Sequence, residues 1–241
     1  MKLKIENLTC VYRQEPVFEN LNMEAAEGEF VSILGPSGCG KSTLLNIVSG
    51  TLKPDTGRIL VDGEPVSGIG RHFAYMPQAD LLLPWKTIMD NVCLSGRIQG
   101  SLKEARRLAA QRFADFGLGG YEDKYPHQLS GGMRQRAAFL RTALCPADIL
   151  LLDEPFGALD VITRGDMQDW LADIRVKMNK TIVLVTHDID EAIYLSDRIL
   201  VMTGKPAKFT ESIGIEEAHR NRNWLFDQHM LKSRIYDLLR G

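Results

Sequence analysis

The sequence predicts an α/β fold with a mainly parallel sheet, an N-terminal antiparallel β-subdomain and an inserted α-helical subdomain. Three observations support this prediction. Residues 1–30 alternate between apolar and polar side chains, as strands with one buried face do. Residues 86–145 instead have helical periodicity. From Asp148 onwards, strand-like apolar runs alternate with amphipathic helical stretches, a pattern typical of a parallel sheet.

The predicted elements of the β-subdomain and the sheet follow from turns and apolar runs. Two strands flank a turn at residues 13–16, and a turn at 54–57 precedes a third strand at 58–63. Between them, residues 29–34 predict a short buried strand and residues 43–48 a helix. After Asp148 the predicted order is strand 149–152, helix 164–178, strand 181–186, helix 189–195 and strand 198–202.

The helical subdomain and the tail are predicted from caps and apolar stripes. Residues 101–104 have the Ser-x-x-Glu pattern of a capping box, and Gly117 is expected to end that helix. The tail from about His219 to Leu239 has an apolar stripe and is predicted to be helical. We therefore expect a single domain over 1–241, in which a core with its β-subdomain occupies 1–85 and 146–205, the helical subdomain 86–145 and a helical tail 206–241.

Composition argues against several classes of protein. The net charge of −2 gives no basic field, so no nucleic-acid partner is expected. The 4 cysteines are widely spaced without a C-x-x-C pair, which argues against a zinc site or a disulfide framework. The sequence has no signal-peptide pattern and no apolar run of about 18 residues, so we expect any membrane role to come through a partner.

Residues 35–42 fit the pattern G-x-x-x-x-G-K-[ST] of a phosphate-binding loop. Its glycines let successive backbone N–H groups point at phosphate oxygens, Lys41 supplies charge for the β- and γ-phosphates, and Ser42 is a ligand for Mg²⁺. A strand before the loop and a helix after it make a chance glycine-rich turn the less favoured interpretation. We therefore expect a P-loop NTPase core. Its candidate nucleotide-binding residues are Gly35, Ser37, Gly38, Cys39, Gly40, Lys41, Ser42 and Thr43.

Two acids end the apolar strand that follows Asp148. Continuous apolar runs are typical of parallel strands buried on both faces, and ligands bind at the carboxyl ends of such strands. Asp153 is therefore expected to hold Mg²⁺ directly or through water, and Glu154 to orient or deprotonate the attacking water. The alternative is a strand that ends in a solvated acidic turn.

A second anion site is predicted where Ser130, Gly131 and Gly132 open a helix. With Leu129 these residues form an L-S-G-G sequence, and here the chain resembles the ATP-binding cassette (ABC) ATPase family. In that family the L-S-G-G signature of one subunit caps the γ-phosphate held by its partner's phosphate loop. The resemblance implies that ATP is the nucleotide and that two copies form a head-to-tail homodimer with two ATP molecules between them.

The remaining family motifs occur in the expected order. The resemblance implies that Tyr12 stacks on adenine, that Gln78 contacts Mg²⁺ and the attacking water, that Asp160 communicates between subunits and that His187 contacts the γ-phosphate. Each has a structural alternative. Tyr12 could pack the β-subdomain, and Asp160 could cap a helix. Gln78 could be a solvated loop residue, and His187 a structural histidine with its hydrogen bonds satisfied. The candidate catalytic residues are Lys41, Gln78, Glu154 and His187, and the candidate Mg²⁺ ligands are Ser42, Gln78 and Asp153.

The branch of the family is inferred from further resemblance. Residues 81–85, from Leu81 to Trp85, form an apolar run in an expected surface loop, and the resemblance implies that a membrane permease docks near it. Internal packing is the alternative. This run and the residues around Ser130 are most similar to nitrate/sulfonate/taurine-type importer ATPases, a branch that also includes transporters of thiamine precursors.

We therefore expect the ATPase subunit of an importer for a small solute, at the cytoplasmic face of the membrane. An extracytoplasmic solute-binding protein would act on it indirectly. A soluble ABC ATPase that acts on a cytosolic protein assembly is the alternative. Cys39, inside the phosphate loop, suggests inhibition by thiol reagents.

Overall fold

A computed structural model gives the structure of the chain and describes residues 1–217 and 220–240. The described strands are β1 (Leu3–Tyr12), β2 (Glu15–Ala25), β3 (Phe30–Leu34), β4 (Thr56–Val61), β5 (Glu64–Val66), β6 (Phe73–Met76), β7 (Ile149–Asp153), β8 (Thr181–Thr186), β9 (Arg198–Thr203) and β10 (Lys208–Gly214). The described α-helices are α1 (Lys41–Val48), α2 (Ile88–Val92), α3 (Leu94–Ile98), α4 (Leu102–Arg112), α5 (Gly131–Ala143), α6 (Val161–Met178), α7 (Ile189–Leu195), α8 (Arg222–Asp227) and α9 (His229–Arg240).

The strands form two sheets, as the sequence predicts. The N-terminal sheet is antiparallel, with the order β2-β1-β4-β5. The larger sheet has the order β10-β9-β3-β8-β7-β6, in which β9, β3, β8, β7 and β6 run parallel and β10 is an antiparallel edge. Strands β3, β7 and β8 are buried along their whole length because helices and the first sheet cover both faces.

The register of the parallel sheet brings several loops to one edge. The carboxyl ends of β3, β6, β7 and β8 lie side by side, so the residues that follow these strands share that edge. Strand β6 is four residues long and is not predicted from the sequence. Its last residue, Met76, precedes the segment that contains Gln78, and the ladder to β7 therefore places that segment beside the two predicted acids.

The predicted helical subdomain is confirmed as helix, but one of its caps is not. Ser101 does not cap α4 with its side chain, and its hydroxyl instead lies 3.5 Å from the carbonyl oxygen of Gly96. Gly117 was expected to end this helix, but α4 ends five residues earlier, at Arg112, and Gly117, with φ 62°, lies in the turn that follows. Trp170 on α6 packs edge-on against Phe116 and Phe139 at ring distances of 4.9 and 5.3 Å, which joins the subdomain to the core.

The predicted helical tail is wrong for residues 208–214, which form the edge strand β10. Helices α8 and α9 confirm the later part of the tail, and His219, where the prediction begins, lies outside the described residues. Among residues 1–217 and 220–240, no helix combines the length and the apolar character that a membrane-spanning helix requires.

Candidate nucleotide site

The phosphate loop connects β3 to α1, and its glycines are needed for backbone shape. Gly38 and Gly40 have φ angles of 77° and 105°, which residues with a side chain rarely adopt. A Cβ atom on Gly35 would lie 2.3 Å from the carbonyl oxygen of Met202, so the close approach of two backbones requires glycine there. The loop therefore has the compact form that backbone cradling of phosphate needs.

Lys41 closes this loop onto itself. Its ammonium group donates to the carbonyl oxygens of Gly35 and Pro36, each at 2.8 Å, and the residue is only 4% exposed. No carboxylate is among these two partners, so the charge is held by neutral dipoles inside the loop. The Lys41 ammonium group is therefore already positioned to interact with a bound phosphate.

The two predicted Mg²⁺ ligands of the loop and of β7 are in contact. The Ser42 hydroxyl donates to Oδ1 of Asp153 at 2.9 Å, and Asp153 is buried. The hydroxyl of Tyr75 donates to the other carboxylate oxygen, Oδ2, at 2.9 Å. Burial, and then the adjacent Asp153, raise the pKa of Tyr75, which therefore stays a hydrogen-bond donor. The oxygen ligands available here are those that a hard cation such as Mg²⁺ takes.

Glu154 lies between two other candidate catalytic residues. Its Oε2 atom is 3.4 Å from Nε2 of Gln78 and 3.2 Å from Nδ1 of His187. Its backbone has φ 45° and donates to Val185 at 2.9 Å, so the turn after β7 aims this side chain across the end of β8. A Cβ atom on Gly157 would lie 3.7 Å from the Glu154 carboxylate, so glycine keeps that flank of the carboxylate open.

The end of β1 and the start of β2 border a cavity beside the phosphate loop. A space of about 400 Å³ is lined by residues that include Tyr12, Val17, Gly38 and Pro206. Tyr12 is 64% exposed, which contradicts the alternative that its ring packs inside the β-subdomain. The Arg13 guanidinium lies 5.3 Å from the centre of the Tyr12 ring. The free face of an aromatic ring next to a phosphate site is suited to stacking on a base.

Cys39 is buried in the same loop. Burial raises its pKa, and the nearby Lys41 charge opposes this shift only in part. Because the thiolate is the reactive form, both observations argue for slow reaction with the thiol reagents that the sequence suggested.

The signature residues belong to a second cluster. Ser130 caps α5, where its hydroxyl accepts from the backbone N–H of Met133 at 3.3 Å. A Cβ atom on Gly132 would lie 2.7 Å from Cγ2 of Thr163, so the first turns of α5 and α6 are closely packed. A Cβ atom on Gly131 would lie 3.7 Å from Leu159 in the segment before α6.

Asp160 belongs to this second cluster and caps α6, as one interpretation of the sequence had it. Its carboxylate accepts from the N–H groups of Ile162 and Thr163, each at 3.1 Å, and hydrogen bonds from Thr163 lower its pKa. Lys41, Ser42 and Asp153 therefore make their contacts at the phosphate loop. Ser130 instead caps α5, and Gly132 and Asp160 lie at the start of α6.

Tyr75 is the residue of this site that the sequence did not identify. Its signal was weak because it lies in a four-residue strand and contacts an acid 78 positions away.

Comparison with known proteins gives one family and several relatives. The profile of a family described as "ABC transporter" matches residues 18–157. The formylaminopyrimidine import ATP-binding protein ThiZ of Halalkalibacterium halodurans is 48% identical over 212 residues, which cover 87% of this chain and 83% of that protein. The taurine import ATP-binding protein TauB of Yersinia pestis is 39% identical over 219 residues, with coverage of 90% and 86%.

A solved structure also resembles the chain along most of its length. It is a dimeric ATP-binding cassette in a post-hydrolysis state, bound to ADP and Pi. Its TM-score is 0.74 at 30% identity, and the match covers 89% of this chain and 99% of that one. The two-sheet arrangement described above is therefore that of the ATP-binding cassettes.

Proposed function

This chain belongs to the ABC transporter family, and we propose that it is the ATP-hydrolysing subunit of an importer of a small solute. It is an ATPase whose nucleotide is ATP. The observation that carries the proposed mechanism is the position of the Glu154 carboxylate, within 3.4 Å of Gln78 and of His187 at the edge that holds the phosphate loop.

The residues of this edge divide the chemistry of hydrolysis between them. Lys41 and the loop N–H groups would bind the phosphates, and Ser42 and Asp153, with Gln78, would hold Mg²⁺. When bound, that ion would neutralise charge on the transferred phosphoryl group. Glu154 would orient the attacking water as a general base, and His187 would contact the γ-phosphate.

We propose that the site is completed by a second copy of the chain. Ser130 caps α5 and Gly132 packs against Thr163 at the start of α6, whereas the phosphate loop has its own set of partners. A head-to-tail homodimer would bring the α5 N-terminus of one subunit to the phosphate held by the other, where its free N–H groups favour an anion. The similar cassette that is dimeric with ADP and Pi supports this arrangement.

A surface loop supports docking of a permease. We call residues 81–86 the docking loop. Leu81 and Trp85 are 61% and 72% exposed, whereas Leu82 is buried in the core, so the apolar run predicted from the sequence divides between surface and interior. Two exposed apolar side chains on an ordered loop are suited to contact with a partner.

The buried side-chain amide of Asn91 holds the backbone of this loop in place. Asn91 on α2 is fully buried and accepts from the N–H of Leu83 at 2.7 Å. It donates to the carbonyl oxygens of Leu83, Lys86 and Thr87 at 3.1, 3.2 and 3.0 Å. Because these bonds fix the backbone, Leu81 and Trp85 are held outward.

The proposed solute class follows from the relatives. A sulfonate, nitrate or taurine, or a thiamine precursor, agrees with proteins whose names specify import of taurine and of formylaminopyrimidine. In this proposal the ATPase lies at the cytoplasmic face, bound to the permease, and an extracytoplasmic solute-binding protein acts on it indirectly.

Co-purification of a membrane permease with this chain from its native cells tests the proposal. We expect Leu81→Ala with Trp85→Ala to abolish co-purification while ATP binding is kept. Phe226→Ala, which removes an exposed aromatic ring on α8, is the matched control and should co-purify. Recovery of a cytosolic protein assembly in place of a permease would favour the alternative, a soluble ABC ATPase.

A further inference from the structure

A buried carboxyl group lies behind His187. Glu191, on α7, is only 4% exposed, and the hydroxyl of Thr186 donates to its Oε2 atom at 2.6 Å. Gln168 on α6, also 4% exposed, makes a side-chain hydrogen bond to the same carboxyl group. Removing a carboxyl group from water costs free energy, and hydrogen bonds inside the protein must offset the lost hydration.

Thr186 links the Glu191 carboxyl to the backbone on both sides of His187. It is the last residue of β8, and its hydroxyl oxygen accepts from the N–H of Asp188 at 3.0 Å. Asp188 in turn caps α7 by accepting from the N–H of Asp190 at 2.8 Å and of Glu191 at 3.1 Å. The residues before and after His187 are thus both fixed by side chains.

The other end of the network is held by α8. Arg222 on α8 donates to Oε1 of Gln168 at 2.9 Å, which leaves the amide NH₂ of Gln168 to face Glu191. Arg222 also donates to Asp169 at 2.8 Å and lies 4.5 Å over the Tyr194 ring. The amide of Gln168 therefore has one orientation that satisfies both neighbours.

We propose that Glu191 is a positioning residue, which orients His187 through Thr186 for the step in which His187 contacts the γ-phosphate. The inference rests on the function proposed above, because it needs His187 to act in hydrolysis. Glu191 itself does not touch the nucleotide in this proposal. Its role is to fix the backbone that presents the imidazole, and a misplaced catalytic group slows the reaction without weakening substrate binding.

Steady-state ATPase kinetics test this role. We expect Glu191→Ala to lower kcat at least about tenfold with KM for ATP unchanged. Thr186→Val, which removes the hydroxyl but keeps the shape, should lower kcat similarly, and Thr186→Ser should restore it. Asp190→Asn is the matched control, because Asp190 lies on the same helix and its half-exposed carboxylate pairs with Lys232 at 2.9 Å.

A double variant separates positioning from general structural damage. If Glu191 acts through His187, adding Glu191→Ala to His187→Ala should cause no further loss of kcat. An equal further loss in that background, a change in KM alone, or wild-type kcat in both Glu191→Ala and Thr186→Val would overturn the inference. If circular dichroism shows that Glu191→Ala does not fold, the kinetics of Thr186→Val and Thr186→Ser test the inference instead.

The proposed function and the inference fail differently. Wild-type turnover by His187→Ala would contradict both the proposed role of His187 and the inference about Glu191. A loss of turnover in His187→Ala that is not reproduced by the Glu191 and Thr186 variants would overturn the inference alone.

Discussion

Oε2 of Glu154 lies 3.2 Å from Nδ1 of His187, on the neighbouring strand end. The relationship follows from register: the ladder between β7 and β8 pairs Asp153 with Val185, so the residues just after each strand become neighbours. The Glu154 side chain is 18% exposed and that of His187 is 50% exposed. A carboxylate in this position is sheltered but still open to a water molecule, as a general base requires.

Glu154→Gln should separate nucleotide binding from hydrolysis. The amide keeps the size and the contact with Gln78 but cannot accept a proton, so we expect ATPase activity to fall by about 10²- to 10⁴-fold. ATP binding should be retained, because the phosphate loop is unchanged. Size-exclusion chromatography with ATP should then show an accumulated dimer.

The matched control for this prediction is Glu27→Gln, a change of the same kind at an exposed position away from the site. It should leave turnover and the monomer–dimer distribution unchanged. Wild-type turnover by Glu154→Gln would exclude Glu154 as the base.

The sequence predicted this site because its motifs are contiguous. Residues 35–42 carry their own strand and helix signals, and Asp153 and Glu154 directly follow an apolar run. Tyr75 could not be predicted in the same way. Its role depends on the pairing of β6 with β7, a contact between distant parts of the chain.

Tyr75→Phe should weaken the Mg²⁺ site without altering the fold. The change removes only the hydroxyl that donates to Asp153 at 2.9 Å. Groups that orient a metal ligand typically contribute about 10- to 100-fold to metal affinity. We therefore expect the Mg²⁺ concentration for half-maximal ATPase activity to rise by about tenfold or more, with kcat at saturating Mg²⁺ changed less.

Tyr236→Phe provides the control for Tyr75→Phe. Tyr236 lies half-exposed on α9, where its ring is 4.5 Å from the Arg240 guanidinium. The Mg²⁺ dependence of this variant should match wild type. An unchanged Mg²⁺ requirement in Tyr75→Phe would mean that Asp153 is oriented by Ser42 alone.

Strand β10 was mispredicted as helix because, like the role of Tyr75, it depends on strand pairing rather than on local sequence. Strand β10 has charged and hydroxyl side chains on its open face and is stabilised by its ladder to β9. Edge strands of this kind have little apolar content of their own, so local sequence gives a weak signal. Helix α9 was predictable because it carries the apolar stripe of the tail, in which Ile235 is buried in the core.

Asn91→Ala should destabilise the protein and release the docking loop. The change removes hydrogen bonds to three backbone carbonyls and one N–H group inside the protein. Because buried polar groups without partners are costly, we expect the free energy of unfolding to fall by about 3 kcal/mol. Urea denaturation measures this loss.

Trypsin should also cleave Asn91→Ala faster after Lys86, since the carbonyl of Lys86 loses its partner. Gln99→Ala, at an exposed position of the same subdomain, is the control and should be cleaved as wild type. Equal cleavage rates in wild type and Asn91→Ala would show that other contacts order the loop.

The stability of the protein should depend on pH through Glu191. Burial raises the pKa of Glu191 to about 7, the charge of Asp188 adds to this shift, and hydrogen bonds from Thr186 and Gln168 and the charge of Arg164 oppose it. In the unfolded chain the pKa returns to about 4.5. Between these two values the folded state holds a proton that the unfolded state has lost.

This group therefore contributes less stability as pH rises from about 4.5 to about 7, by up to about 3 kcal/mol. Glu191→Gln removes the titration, so the free energy of unfolding of the variant relative to wild type should increase across this window and stay level above it. Urea denaturation at intervals from pH 5 to pH 8 measures the difference, in which the other titrating groups cancel. Asp190→Asn should show no such trend, because Asp190 lies at the surface beside Lys232. A difference independent of pH would mean that Glu191 is ionised throughout, since only a proton held in the folded state produces the slope.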